Sequence, residues 1–209
     1  MHILLTDHLT CPRCGPEFGL ILLAERMENR RVLEGWLGCA NCREKYPIVD
    51  GFADLRTGLV EALPGEGGSA PEEGGREEAF RLAALLGVTE GPGFVLVVGE
   101  AARLAPGIAA VVEGIEVVAV DPSLAGWPEV PGVSRLATGA QLPFFSGTMR
   151  AVALTGERAE GLLEEGARVV SRLGRLVVQG AGAGVAERLA RVGLEPLVAE
   201  GETVVAVRR

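Results

Sequence analysis

The sequence predicts an α/β protein in two parts: a small cysteine-held ribbon at the N-terminus and a larger, doubly wound, mostly parallel sheet behind it. Three observations carry this. All four cysteines fall within residues 11–42, as two C-x-x-C pairs. Residues 64–75 are almost entirely Gly, Pro and Glu, a composition that buries no core. From residue 77 onward, apolar runs of strand length alternate with stretches of helical spacing. The reading is therefore a ribbon over 1–56, a flexible linker over 57–76 and a doubly wound domain over 77–209.

The ribbon comes first. Cys11-Pro12-Arg13-Cys14 and Cys39-Ala40-Asn41-Cys42 are separated by 24 residues, the spacing of a tetrahedral zinc site. Two thiolates three positions apart on a tight turn can share one metal, and a second such turn closes the shell. A closed four-cysteine site leaves no open position, so the zinc is structural. Two disulfides are the alternative, disfavoured in a reducing compartment. Gly15 follows the first pair and suits a turn with positive φ; Arg43 stands at the matching place after the second, where a side chain carries strain. Leu20–Ala24 and Val32–Leu37 read as strands joined by a hairpin turn over Met27–Arg30. Tyr46–Val49, the turn Asp50-Gly51 and Phe52 follow. So few residues bury little core, and the metal is expected to supply much of the folding energy. Chelation should then unfold residues 1–56 and spare the rest.

In the second part, Ala79, Phe80, Ala83, Ala84 and Leu86 mark a helix over 77–86. Phe94–Gly99 is a continuous apolar run, as a buried parallel strand requires, with a helical stretch after it to about Val112. Val117–Asp121, Val133–Ala137, Ala151–Leu154 and Arg175–Gln179 are the next strands. Helices near 157–172 and 184–192 stand between the later ones. Pro196–Glu200 and Thr203–Val207 are too close for a crossover and must run antiparallel. The whole is Rossmann-like, an open sheet wound on both sides, with an antiparallel last strand.

Composition limits function. The net charge is −8, spread over all three regions, and no basic stripe exists to hold a nucleic-acid backbone. No apolar run reaches the roughly 18 residues of a membrane span, and the first residues lack a secretion signal, so a cytoplasmic protein is expected.

Leu9-Thr10-Cys11-Pro12-Arg13-Cys14-Gly15, Cys39-x-x-Cys42 and Tyr46-Pro47-Ile48-Val49-Asp50-Gly51 resemble the small zinc-ribbon proteins that activate methyltransferases. The strand and helix order after residue 77, with Gln141-Leu142-Pro143-Phe144 before the fourth strand, resembles the class I S-adenosylmethionine-dependent methyltransferases. The resemblance implies a cofactor crevice built by Gly99, Glu100, Asp121 and Gln141, with Asp121 on the ribose. It also implies a Gly-rich turn after the first strand, where this sequence has Gly99-Glu100-Ala101-Ala102-Arg103. Ala101 and Arg103 each add a Cβ where that family has glycine, obstructing the approach of the cofactor. Asp121-Pro122-Ser123 also reads as a helix start, with Asp121 as its cap. Gly180–Gly184 resembles a phosphate loop but lacks the Lys-Ser/Thr that completes one. The second part has no His, Cys, Tyr or Lys to act as base or nucleophile.

The reading that follows is a zinc-binding adaptor or regulator related to methyltransferases, with an eroded cofactor loop. A methyltransferase, or a second copy of the chain, would dock on the ribbon by strand-edge pairing. The alternative is an active methyltransferase whose ribbon activates it in cis.

Overall fold

The computed structural model describes residues 1–58, 63, 75–180 and 182–209. Most of the expected linker lies outside the described residues. Leu63 packs beside the helices, and Arg76 already opens a helix.

The strands are β1 (Thr10–Cys11), β2 (Gly15–Glu28), β3 (Arg31–Cys39), β4 (Lys45–Val49), β5 (Phe52–Leu55), β6 (Glu90–Val98), β7 (Glu113–Val120), β8 (Val133–Thr138), β9 (Met149–Thr155), β10 (Val170–Gln179), β11 (Leu194–Glu200) and β12 (Thr203–Arg208). The helices are α1 (Arg76–Leu86), α2 (Ala105–Val111), α3 (Leu163–Val169) and α4 (Val185–Arg191). All twelve strands form one sheet in the order β1-β2-β3-β4-β5-β8-β7-β6-β9-β10-β12-β11. Strands β5, β8, β7, β6, β9 and β10 pair in parallel, and β12 runs antiparallel between β10 and β11. From β6 onward this is the expected doubly wound sheet, with its antiparallel last strand.

Local chemistry sets the ribbon turns. Asn29 (φ 46°) with Arg30 (φ 64°), and Asp50 (φ 46°) with Gly51 (φ 75°), place two left-handed residues in each two-residue hairpin, matching the twist of the flanking strands. The helix expected near 157–172 is shorter. A 3₁₀ turn, Glu160–Leu162, leads into α3, and the chain is already strand at Val170. Phe80, counted toward the apolar face of α1, points to solvent and is 63% exposed.

The ribbon does not stand apart. Phe52↔Arg135 and Ala53↔Leu136 begin the parallel register of β5 on β8. A 3₁₀ helix at Ile3–His8, unforeseen from sequence, crosses under the sheet. It carries Met1, Leu5 and Leu9, all fully buried, into one core with Leu136, Phe144, Met149, Phe94 and Leu96. The connection between β8 and β9 contains no helix of its own. The N-terminal segment provides the cover that a crossover helix gives in a βαβ unit. Backbone bonds fix it there: Thr10 N–H donates to Pro143 O at 2.8 Å and Phe145 N–H to His8 O at 3.0 Å.

Charge reinforces the junction. Arg31, on β3 and almost buried, donates Nε to Glu129 and Nη1 to Glu116, and also bonds the Val133 carbonyl. Arg135, on β8 and 1% exposed, bonds the carbonyls of Leu124, Trp127 and Asp50 and pairs with Glu129 at 3.3 Å. Burial pulls its guanidinium below the usual value, while Glu129 supports the charge. Breaking such a pair strands the remaining charges, at a cost of about 3–5 kcal/mol. No helix among the described residues is long and apolar enough to cross a membrane.

Two outcomes follow. A fragment of residues 75–209 lacks the strand beside β8 and the cover over Leu136, Phe144 and Met149; it should show no cooperative thermal transition or near-ultraviolet dichroism. A sharp transition in that fragment would show that the core is not shared. One part of the pH dependence is set at Glu165. Burial raises its carboxyl, but Arg168 at 2.8 Å and the Leu142 N–H at 3.0 Å outweigh this and hold it below its usual 4.5. A carboxylate with a lowered folded pKa stabilises above its unfolded value, and that stability is lost as pH falls through the folded one. Glu165→Gln should therefore be less stable than the parent at pH 7. Urea titrations should find the gap closing below about pH 4.5.

Candidate metal centre and cofactor crevice

The four cysteines converge as their spacing predicts. Cys11 and Cys39 are buried, Cys14 and Cys42 half-buried, and the four sulfurs lie within 4.8 Å of one another. Cys11 Sγ is 3.7 Å from Cys42 Sγ, and Cys14 Sγ is 3.8 Å from Cys39 Sγ. A tetrahedral ion with metal–sulfur bonds of about 2.3 Å sets its sulfurs about 3.8 Å apart, so the cluster fits zinc. A disulfide would need about 2.05 Å, so the two-disulfide alternative falls.

Second partners orient the sulfurs. The Asn41 amide donates to Cys14 Sγ at 3.3 Å, and the Tyr46 hydroxyl lies 3.5 Å from Cys11 Sγ. Burial pushes the Cys11 thiol up, yet Tyr46 and the backbone of Cys14 and Arg13 bring it down to about 7. At Cys42 the backbone of Glu44 favours the thiolate, but burial and the three neighbouring sulfurs push that thiol up to about 12. Four sulfurs this close cannot all ionise unless a cation sits among them. The turns match expectation: Gly15 has φ 93° and Arg43 has φ 63°, so Arg43 holds the strained left-handed place. Arg13 and Glu44 pair across the two turns at 2.9 Å.

The crevice residues are less well gathered. Gly99 ends β6 with φ 85°, and a Cβ there would collide with the Thr155 carbonyl oxygen, so glycine is required. The turn beyond it is not a strained glycine loop carrying misplaced side chains. Glu100–Leu104 is a 3₁₀ helix, and neither Ala101 nor Arg103 has positive φ. The expected strain is therefore absent. Ala101 and Ala102 are instead buried, and the Ala101 N–H is held by Thr155 Oγ1 at 2.9 Å, which itself donates to Val98 O. Backbone that a cofactor would need to approach is thus packed and hydrogen-bonded inside the protein.

Asp121 stands at the tip of β7, where the resemblance places it. Its Oδ1 accepts from Ser123 N–H at 2.9 Å, capping the 3₁₀ turn Pro122–Leu124. Arg158, from the loop after β9, bonds the carbonyls of Thr138 and Gly139 at the end of β8. Gln141 is exposed beside Cys11 and Glu165, at a cavity of about 40 Å³ between the metal turn and α3, away from Gly99 and Asp121. Glu100 lines a larger cavity of about 780 Å³ at the carboxyl ends of β6, β9 and β10, with Glu157, Glu160, Arg103, Gln179 and Glu202. In the loop after β10, the Gly182 N–H is already given to Glu160. Ala101 and Thr155 also line the larger cavity, so it opens directly against the turn after β6.

No family model matches the sequence, and no curated protein matches it. Solved structures of similar fold include several methyltransferases and a [4+2]-cyclase. A geranyl diphosphate methyltransferase in complex with SAM is 16% identical, over 64% of this chain and 85% of that one, with a TM-score of 0.49. A TehB-like SAM-dependent methyltransferase from Corynebacterium glutamicum is 19% identical, over 61% and 86%, with a TM-score of 0.44. A complex that contains the Haloferax volcanii Trm112 methyltransferase activator is 15% identical, over 65% and 92%, with a TM-score of 0.47. The assignment of fold rests on strand order and pairing.

Freshly reduced protein should carry one zinc per chain by metal analysis, and Cys14→Ser should lose most of it. Arg43→Gly relieves the left-handed side chain and should raise stability by about 0.5–1 kcal/mol at equal zinc content, read from thermal melts.

Proposed function

We propose that the chain is a zinc-stabilised binding protein on a methyltransferase-like fold, and that it does not itself transfer methyl groups. The observation that carries this reading is the turn after β6. Ala101 and Ala102 are buried, and the Ala101 N–H is tied to Thr155. Asp121 is engaged as a cap, and five glutamates with two arginines line the large cavity nearby. The second part also offers no His, Cys, Tyr or Lys. What it retains is shape: a rigid sheet and a ribbon locked to its edge.

The partner would be a protein met through the ribbon, by face and not by edge. The edge of β5 already belongs to β8 of the same chain, and the outer strand β2 is broken by bulges near Ala24 and Arg26, which discourage edge pairing. The opposite face of the ribbon is apolar and exposed, and it is the surface a partner would cover. Strand order and the position of Asp121 favour a second reading, an active methyltransferase whose ribbon acts in cis.

Calorimetric titration separates the two. S-adenosylmethionine and S-adenosylhomocysteine should give no heat of binding at millimolar concentration with the zinc-loaded chain. Micromolar binding would overturn the proposal. Asp121→Ala should lower stability by about 1 kcal/mol, as loss of a cap does, while Asp121→Ser keeps most of it.

A further inference from the structure

The sheet is continuous, but the helix layer on one of its faces is not. Val49 lies opposite Phe52 in the β4–β5 pairing, so the two side chains share a face. Phe52 packs in the same core as Ala79 and Leu82 of α1 and Ile108 of α2. The ribbon residues on that face are Ile21 and Leu23 of β2, Trp36 of β3, and Pro47 and Val49 of β4, aligned by the pairs Leu23↔Trp36 and Trp36↔Pro47. Ile21 is 56% exposed and Val49 55%, with Leu23 and Trp36 also open. The side-chain cover ends near Trp127, which packs at the margin of the helical core. The surface therefore has a step. Among the described residues, it stands one helix layer, about 10 Å, above the sheet over β6–β10 and drops to the bare strands over β2–β4. Two large apolar side chains, Phe80 on α1 and Val111 on α2, point outward on the raised side.

We propose that this step is a homodimer interface, in which α1 and α2 of a second copy of the chain seat on the bare ribbon face. A two-fold axis makes the contact occur twice: each copy gives its helix layer and receives its partner's. The shape demands this pairing, because an apolar floor one helix deep faces the same way as a helix layer carrying exposed Phe80. Three strands about 4.8 Å apart, each about four residues long and showing one or two side chains on this face, give a floor of roughly 200 Å². Two floors and their covers bury on the order of 1,000 Å² with the rims, enough for a weak, specific dimer. The inference rests on the binding-protein reading and names its partner at the ribbon.

Sedimentation velocity of the full-length, zinc-loaded chain tests it, between about 5 and 500 µM, the range where a micromolar dimer forms. The parent should shift from monomer to dimer. Trp36→Glu and Phe80→Lys should each stay monomeric with melting temperatures near the parent's, since both side chains are exposed. Mixed together, these two variants should associate more strongly than either alone: one contact is then unaltered, and in the other the introduced carboxylate faces the introduced ammonium. A parent monomeric at the highest concentration overturns the dimer, as do variants that still dimerise alone. A mixture no heavier than its parts also overturns it, and would fit ribbon-to-ribbon stacking instead. Cofactor binding in the titration above would fell the binding-protein reading without touching this result, so the two failures are distinct.

Discussion

Strand β8 would be an open edge in the doubly wound sheet, and the connection leaving it contains no helix to cover the core beneath. Both gaps are closed from the N-terminus. Strand β5 supplies the missing hydrogen-bond partners, and the 3₁₀ segment Ile3–His8 supplies the missing apolar cover. The rest depends on this. The metal turns are held against Pro143 and Phe144 because β1 is anchored there. Arg31 and Arg135 can be buried because carboxylates and carbonyls from both parts surround them. The four-cysteine cluster thus braces the ribbon and, through it, the loop that follows β8. Expecting chelation to spare the second part treats as separate two surfaces that share one core.

What could be read from sequence was local. The C-x-x-C pairs, the Asp50-Gly51 turn and the apolar run at Phe94–Val98 are written in neighbouring residues, and each was found where expected. Gly99 and Asp121 were placed at the ends of the right strands. What could not be read was pairing at long range. Nothing near Arg31 announces Glu116 or Glu129, which lie some 85–98 residues away. Leu5 and Leu9 look like a short apolar start, and only the structure shows which core they complete. Gln141 shows the same limit: the resemblance groups it with Gly99, and the structure sets it beside Cys11 and Glu165. Strand β2 ran longer than expected because both its faces are apolar near Ile21–Leu23, which hides the alternation that marks a half-buried strand.

The region after β6 shows how much of a turn can be set by packing alone. A glycine is needed at position 99 for backbone reasons alone, since the Thr155 carbonyl leaves no space for a Cβ. Its presence therefore says nothing about a ligand. The residues after it tell more. Alanines that pack inward, with an N–H answered by Thr155, make the turn part of the core. Capping serves Asp121 in the same way. The Ala101 N–H and the Asp121 carboxylate have thus each found a partner in the chain.

The position of Leu5 in this architecture bears on how the chain must be made. It and Met149 share one core but are about 144 residues apart, so at roughly 5–20 residues per second the ribosome takes on the order of 10–30 s to deliver the second after the first. During that interval the inner face of the ribbon has nothing to rest against. Metal capture by the first 42 residues is the one folding step available so early, and it holds β2, β3 and β4 in register until β8 emerges. A metal held by the four cysteines would then act during translation, and not only afterwards, by keeping the ribbon formed until its core partners emerge.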